Sequence, residues 1–253
     1  MYRKSLLILL TLTLFICWSN TEAQIVKDGL VSYWSLDKST IDGNKVKDTV
    51  GNNNGEMKGS PKVVAGKIGE ALEFNGTSDY VEIPNNNNMN FGTGDFTLCV
   101  WAKTKATTGR WAQRQDIAGK GDPSVSGYAI SADSNKGFFW VGGAGEFTGT
   151  TDINDDKWHY IVGVRKSSDC FIYVDGKLEG KGTNAENVDT TLSMIFAKHP
   201  LKSESYFAGA IDDVSLYKRA LTENEILTNF SSKGAEVDKA GKLSITWGAL
   251  KKF

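Results

Sequence analysis

Past residue 24 the chain alternates apolar and polar residues in short runs broken by glycine and asparagine. Ala71-Leu-Glu-Phe74, Tyr80-Val-Glu-Ile83, Phe96-Thr-Leu-Cys-Val-Trp101 and Tyr160-Ile-Val-Gly-Val164 are the clearest of them. A period of two puts alternate side chains on opposite faces, which is the pattern of a β-strand. Asn75-Gly-Thr-Ser-Asp79 separates two of these runs with the turn chemistry of a hairpin, Gly76 being free to take positive φ. Val174-Asp-Gly176 marks another tight reversal. One segment reads as helix: Thr222-Glu-Asn-Glu225 fits a capping box, and a short helix is expected from there to about Phe230. Many strands at intervals of roughly 8–12 residues with one late helix predict an all-β, two-sheet antiparallel sandwich or barrel. The polar tracts Gly51–Gly55 and Asn85–Asn90 read as loops.

The ends of the chain differ from this body. Arg3 and Lys4 precede an apolar run of about a dozen residues, and Thr21 and Ala23 flank Glu22 as small residues, so residues 1–23 read as a secretory signal peptide. The run is too short for a membrane span, which takes about 20 apolar residues. Residues 24–232 then form one domain, and 233–253 read as a Lys/Gly/Ala/Glu linker closing on the short apolar tail Leu243-Ser-Ile-Thr-Trp247 and Leu250-Lys-Lys-Phe253. Export makes the two remaining cysteines, Cys99 and Cys170, candidates for a disulfide, with two separate buried thiols as the alternative. In 253 residues, 29 basic side chains nearly cancel 30 acidic ones and no long block of like charge occurs, which argues against nucleic acid as a partner.

Five segments, in order, resemble one known family. They are Gly29-Leu-Val-Ser-Tyr-Trp-Ser-Leu-Asp37; Gly69-Glu-Ala-Leu-Glu-Phe-Asn-Gly-Thr-Ser-Asp-Tyr-Val-Glu-Ile-Pro84; Phe96–Trp101; Trp158-His-Tyr-Ile-Val-Gly-Val164 with Tyr173-Val-Asp-Gly176; and Gly209-Ala-Ile-Asp-Asp-Val-Ser-Leu-Tyr-Lys-Arg-Ala-Leu-Thr-Glu-Asn-Glu-Ile226. The set resembles the laminin-G-like (LamG-like) jelly roll domains of the concanavalin A-like lectin/glucanase superfamily. The resemblance implies two curved antiparallel sheets and recognition more often than catalysis. It also implies calcium in many members, and glycans or other extracellular proteins as partners.

Asp212 and Asp213 stand side by side in the last of these segments. Strict alternation points them to opposite faces and groups Asp212 with Ala210, Val214 and Leu216 on the core side. A buried carboxylate needs a partner: a metal ion, a basic side chain or backbone amides from a turn. Calcium, which takes six to eight oxygen ligands, suits such a place. By the resemblance, Asp37 and Asp79 occupy matching acidic positions, so Asp37, Asp79, Asp212 and Asp213 are the candidate ligands of a structural calcium ion. The alternative is that each carboxylate caps a turn.

His159, between Trp158 and Tyr160, is expected to be packed or hydrogen-bonded, and His199, beside Pro200, to lie in a loop. No catalytic triad is visible, and no Glu-x-Asp-x-Glu strand motif stands where a retaining glycan hydrolase would need two carboxyl groups about 5 Å apart. For ligand binding the candidate platforms are Trp101, Trp111, Trp140, Phe147 and Tyr206, with Trp111 and Phe147 preferred for their polar, loop-like surroundings. The expectation is an exported, non-catalytic module that recognises glycan or extracellular protein, at the cell surface or in the periplasm. A glycan hydrolase and a purely structural or adhesive domain are the alternatives.

Overall fold

The computed structural model describes residues 24–110, 113–122, 124–202 and 205–232. The signal peptide and the tail expected at the two ends lie outside these residues. The described residues form β1 (Leu30–Trp34), β2 (Ile41–Asp42), β3 (Lys45–Val46), β4 (Gly55–Lys58), β5 (Lys62–Ala65), β6 (Glu70–Asn75), β7 (Tyr80–Ile83), β8 (Phe96–Lys103) and β9 (Gln115–Asp122). They continue with β10 (Ser126–Asp133), β11 (Lys136–Val141), β12 (Gly145–Asp152), β13 (Trp158–Lys166), β14 (Asp169–Val174), β15 (Lys177–Thr183), β16 (Met194–Phe196), β17 (Ala208–Tyr217) and the helix α1 (Glu223–Ser231).

All pairings are antiparallel and build two sheets, a jelly roll sandwich as expected. The first runs β15-β14-β13-β8-β17-β6-β5, with β1 also on β17; the second runs β12-β11-β10-β9-β16-β7-β4-β3-β2. The core lies between them, where Trp34, Leu98, Val100 and Leu216 of the first sheet meet Val81, Ile117, Phe139 and Phe196 of the second. Trp34 meets Phe196 edge to face at 5.2 Å between ring centroids, the arrangement aromatic quadrupoles favour.

Strand β8 is buried along nearly its whole length because both of its faces are covered. Phe96, Leu98 and Val100 enter the sandwich core, while Cys99 and Trp101 face outward into a second apolar cluster sealed by α1 through Ile226 and Phe230. The helix starts where the capping box placed it, with the Thr222 hydroxyl and the Glu225 carboxylate each satisfying a backbone donor of the other.

Two expectations change at this level. The Asn75–Asp79 turn does carry positive φ at Gly76, but it joins β6 of the first sheet to β7 of the second, so it arches over the sandwich edge and makes no hairpin. Of these two turns, Val174-Asp-Gly176 is the one that closes a hairpin, between β14 and β15, with φ of 51° at Asp175 and 78° at Gly176. The disulfide between Cys99 and Cys170 is also absent, and both thiols are free and buried. Cys99 points to the helix side of the first sheet and Cys170 into the sandwich core. Their strands flank β13, a separation of about 10 Å from two strand spacings, beyond the roughly 7 Å a disulfide spans between Cα atoms.

Buried cations hold the loops at one end of the sandwich. Arg165 is fully buried and donates through Nε and both terminal nitrogens to the carbonyls of Gly92, Gly94 and Glu186 at 2.6–2.9 Å. Lys120, also fully buried, donates to Asn90 Oδ1 at 2.6 Å and to the Thr190 carbonyl.

Replacing Arg165 by Met removes all of these donors and leaves the Gly94 and Glu186 carbonyls without this partner; the expected loss is about 3 kcal/mol in urea unfolding. The two thiols should ignore Ellman's reagent in the native protein and react, without prior reduction, once it is unfolded. Burial, which pushes both thiols up to about 11, acts in the same direction as their inaccessibility.

Candidate functional site

Register is what brings the conspicuous acids together. Along β17, Ala210 faces Lys103 and Asp212 faces Trp101, but the pairing with β8 then slips before Ser215. At the slip Asp213 adopts φ +45°, a left-handed conformation that aspartate tolerates better than most residues. This is a β-bulge, and it breaks the alternation on which the sequence reading relied. Ile211, Val214 and Leu216 occupy the sandwich core, whereas Asp212, opposite the outward-facing Trp101, lies on the other side of the sheet. Asp212 therefore does not share a face with Val214 and Leu216.

Both carboxylates are withdrawn from water, Asp212 fully and Asp213 to 7 % exposure. Asp212 Oδ2 accepts from the backbone amides of Lys67 and Ile68 at 2.8 and 3.0 Å, which pins the β5–β6 loop to the strand. Gly66 makes this approach possible, since a Cβ there would come within 2.6 Å of the same oxygen. Asp213 Oδ1 accepts from the Tyr33 hydroxyl. Asp37, three residues past β1, accepts from the Glu70 amide at 2.7 Å and sits against Gly69, at φ +58°. Asp212 Oδ1 and Asp213 Oδ2 are buried with no hydrogen-bond partner.

Asp48 shows how a buried aspartate is satisfied by the backbone alone. Its two oxygens accept from Tyr33, Val50, Gly51 and Asn53 amides at 2.9–3.1 Å. Asp212 and Asp213 have no such complement. Burial lifts the Asp212 carboxyl to about 7 against the pull of the Ile68 and Lys67 amides, with the Asp37 charge adding to the rise. Burial and then the Asp212 charge push Asp213 well above the usual range for a carboxylate.

Three of the four acids proposed as metal ligands thus meet in one corner. Asp79 does not join them: it accepts from the Ser60 amide at 2.9 Å and the Asn75 amide at 3.3 Å, and so ties the β6–β7 arch to the β4–β5 turn as a cap. Among the described residues no group of three or more His, Cys, Asp or Glu side chains is arranged to hold an ion by itself. Any cation in the corner would need backbone carbonyls and water to complete its shell.

The aromatic candidates fare differently. Phe147 is 7 % exposed and packs in the sandwich core, 6.3 Å from Phe139 between ring centroids, so it is not an exposed platform. Its place on β12, directly opposite Phe139, is what buries it. Trp101 and Trp140 are buried as well. Tyr206 is half-buried beside Tyr80. Trp111 lies outside the described residues. Both histidines lie against carboxylates. His159 stands between two carboxylates, Nδ1 2.8 Å from Asp175 and Nε2 3.0 Å from Asp155. His199 is in the β16–β17 loop as expected, but buried, with Nε2 3.0 Å from Asp122.

Next to the acidic corner, an open groove of about 780 Å³ crosses the outer side of the first sheet, lined by Val64, Glu73, Lys103, Asp156, Trp158 and Ala210 among others. The sequence reading used Trp158 only as a family landmark. The signal that singles it out is positional: it faces Lys103 across β13 and β8, next to Ala210 of β17.

A family model described as "Concanavalin A-like lectin/glucanases superfamily" (Laminin_G_3) matches residues 75–227, more than half of the chain. The chain belongs to that family. No curated protein matches it. Among solved structures it is similar to the binding domain of Paraclostridial Mosquitocidal Protein 1, with a TM-score of 0.66 and 20 % identity over 80 % of this chain and 52 % of that one. It is similar also to Domain 4 of AbnA, a GH43 extracellular arabinanase from Geobacillus stearothermophilus solved with arabinotriose (TM-score 0.60, 21 % identity, 80 % and 98 % covered). A third is the binding domain of botulinum neurotoxin DC in complex with SialylT (0.63, 17 %, 81 % and 52 %). This chain spans about half the length of the two toxin domains. At these identities the likeness is one of fold.

The two aspartates flanking His159 raise its pKa, the Asp175 hydrogen bond most, against the opposing effect of burial. A folded-state pKa above the unfolded value of about 6.5 gives stabilisation that is complete below that value and is lost as pH rises through the raised one. The wild type should therefore melt above His159→Gln by a margin that is largest at acidic pH and shrinks toward alkaline pH, as read by thermal unfolding across a pH series.

Proposed function

We propose that this chain is an exported, non-catalytic recognition domain for glycan whose acidic corner holds one structural calcium ion. The observation that carries the reading is the pair of partnerless buried oxygens, Asp212 Oδ1 and Asp213 Oδ2, beside Asp37. A buried carboxylate pair without a cation is costly, and a hard divalent ion that accepts carboxylate, carbonyl and water oxygens removes that cost. Asp212 and Asp213 would supply those two oxygens, backbone carbonyls and water the rest of the shell, with the Asp37 charge close by. Asp79, already spent on backbone amides, is not part of the set. The ion's role is to fix the β5–β6 loop and the bulge, and through them the wall of the neighbouring groove.

The family supports recognition, and so do the ligands named for its structural neighbours: arabinotriose in one and SialylT in another. A further neighbour is the binding domain of botulinum neurotoxin DC in complex with rat synaptotagmin II, a protein ligand. Among the described residues no helix is long and apolar enough to cross a membrane.

Thermal unfolding of the chain with excess calcium and then with chelator tests the metal. A concentration a hundred times Kd adds about 2.7 kcal/mol to the native state, which reads as a Tm rise of roughly 5–10 °C for a domain of this size. Asp212→Asn and Asp213→Asn should each abolish the rise while leaving the chelator Tm close to that of the wild type. A wild-type Tm indifferent to calcium would remove the metal from the reading.

A further inference from the structure

Four residue pairs lie in one row across the outer side of the first sheet. Lys62 faces Glu73, Glu73 faces Ala210, Ala210 faces Lys103 and Lys103 faces Trp158. One step along the strands the same side is sealed: Phe230 of α1 stacks on Trp101 at 5.5 Å, and the Lys67 ammonium lies over that indole at 4.6 Å from its centroid. The row itself is left open. Ala208, Gly209 and Ala210 keep its floor low, and the surface there sinks into the groove of about 780 Å³.

The volume lies in the range of small-ligand sites, ~300–1,000 Å³, and the shape is that of a trough. Three lysines line it, Lys62, Lys103 and Lys105, and three carboxylates, Glu73, Asp79 and Asp156. The charges cancel, so the groove attracts neither a polyanion nor a polycation. Lys103 pairs with Asp156 at 3.6 Å while both side chains remain substantially in water, 38 % and 59 % exposed. Such a surface pair is worth little, and either partner can exchange it for a ligand hydroxyl. Trp158 is half-buried: one part packs on the outer apolar cluster and the rest lines the groove. An indole flanked by both donors and acceptors suits a ligand with an apolar face and hydroxyls around its rim, which is a sugar ring.

We propose that this groove is the ligand site and that its occupant is a short, uncharged oligosaccharide. Trp158 is the stacking platform, Glu73 and Asp156 accept sugar hydroxyls, and Lys103 donates to ring or hydroxyl oxygens. The inference rests on the glycan-recognition reading above and names its place and ligand class. Val64 and Ala65, which line the groove, lead directly into the loop whose amides Asp212 holds, so the corner fixes one wall of the site.

The test is isothermal titration of the full chain, in calcium, with neutral trisaccharides and tetrasaccharides of arabinose, xylose, glucose and galactose, and with sialylated and uronic-acid oligosaccharides alongside. The expected result is binding to a neutral sugar that Trp158→Ala weakens roughly ten-fold, the worth of one aromatic contact. Trp158→Tyr should restore most of the affinity, Glu73→Ala on the exposed strand should weaken it several-fold, and Lys181→Ala, away from the groove, should leave it unchanged. Wild-type binding that survives both alanine substitutions in the groove overturns this site and leaves glycan recognition standing. Binding confined to the acidic sugars, falling with added salt, overturns the uncharged class. Binding to none of the sugars overturns the site and the glycan reading together.

Discussion

Burying two adjacent carboxylates in the middle of a central strand is the constraint around which the first sheet is organised. Strand β17 pairs with β1, β6 and β8 at once, so a disturbance in it reaches three neighbours. The bulge at Asp213 accommodates the second acid without turning it into the sandwich core, at the expense of a left-handed residue and a register slip. What surrounds the pair follows from it. Glycines at 66 and 69 let the β5–β6 loop close over the acids, and Tyr33 from β1 reaches one of them with its hydroxyl. A strained backbone position and partnerless polar atoms persist where the rest of a structure holds them in place, and they concentrate at functional places.

Two other buried charges are satisfied by backbone. Asp48 gathers four amides, and Arg165 spends its guanidinium on carbonyls of two loops. Against these fully bonded groups the corner on β17 stands out as incomplete. The groove beside it differs in kind from both, since its charged groups are exposed and weakly paired.

Much of this was legible in the sequence. Period-two alternation located the strands, the Thr222 to Glu225 spacing located the helix start, and the ordered family segments fixed the architecture. The failures share one cause: strand neighbours are set by the fold, and a sequence carries no direct mark of them. Cys99 and Cys170 both sit in strand-like runs, but only the sheet order and the facing of each residue show that they diverge. The Asn75–Asp79 turn has hairpin chemistry, yet whether it closes a hairpin or arches between sheets depends on distant pairings. Phe147 looked exposed from its polar neighbours Glu146 and Thr148, because alternation on an edge strand puts those two outward and Phe147 inward. The acids of the corner were found by residue type, and the single extra residue of a bulge was enough to reverse the assigned face of Asp212. The groove was missed because Glu73, Lys103 and Trp158 become neighbours only across β6, β17, β8 and β13.

The contact between the two ends of the described domain has an architectural consequence. The Val26 amide donates to Asn229 of α1 at 2.8 Å, and the Tyr217 hydroxyl donates to the Val26 carbonyl at 3.0 Å. Entry and exit of the chain are thus stitched together on the helix side of the sandwich, with the rest of both sheets extending away from that seam. A domain whose ends touch can be spliced into a surface loop of another protein without prising either partner apart, or opened at a different turn and rejoined at the seam.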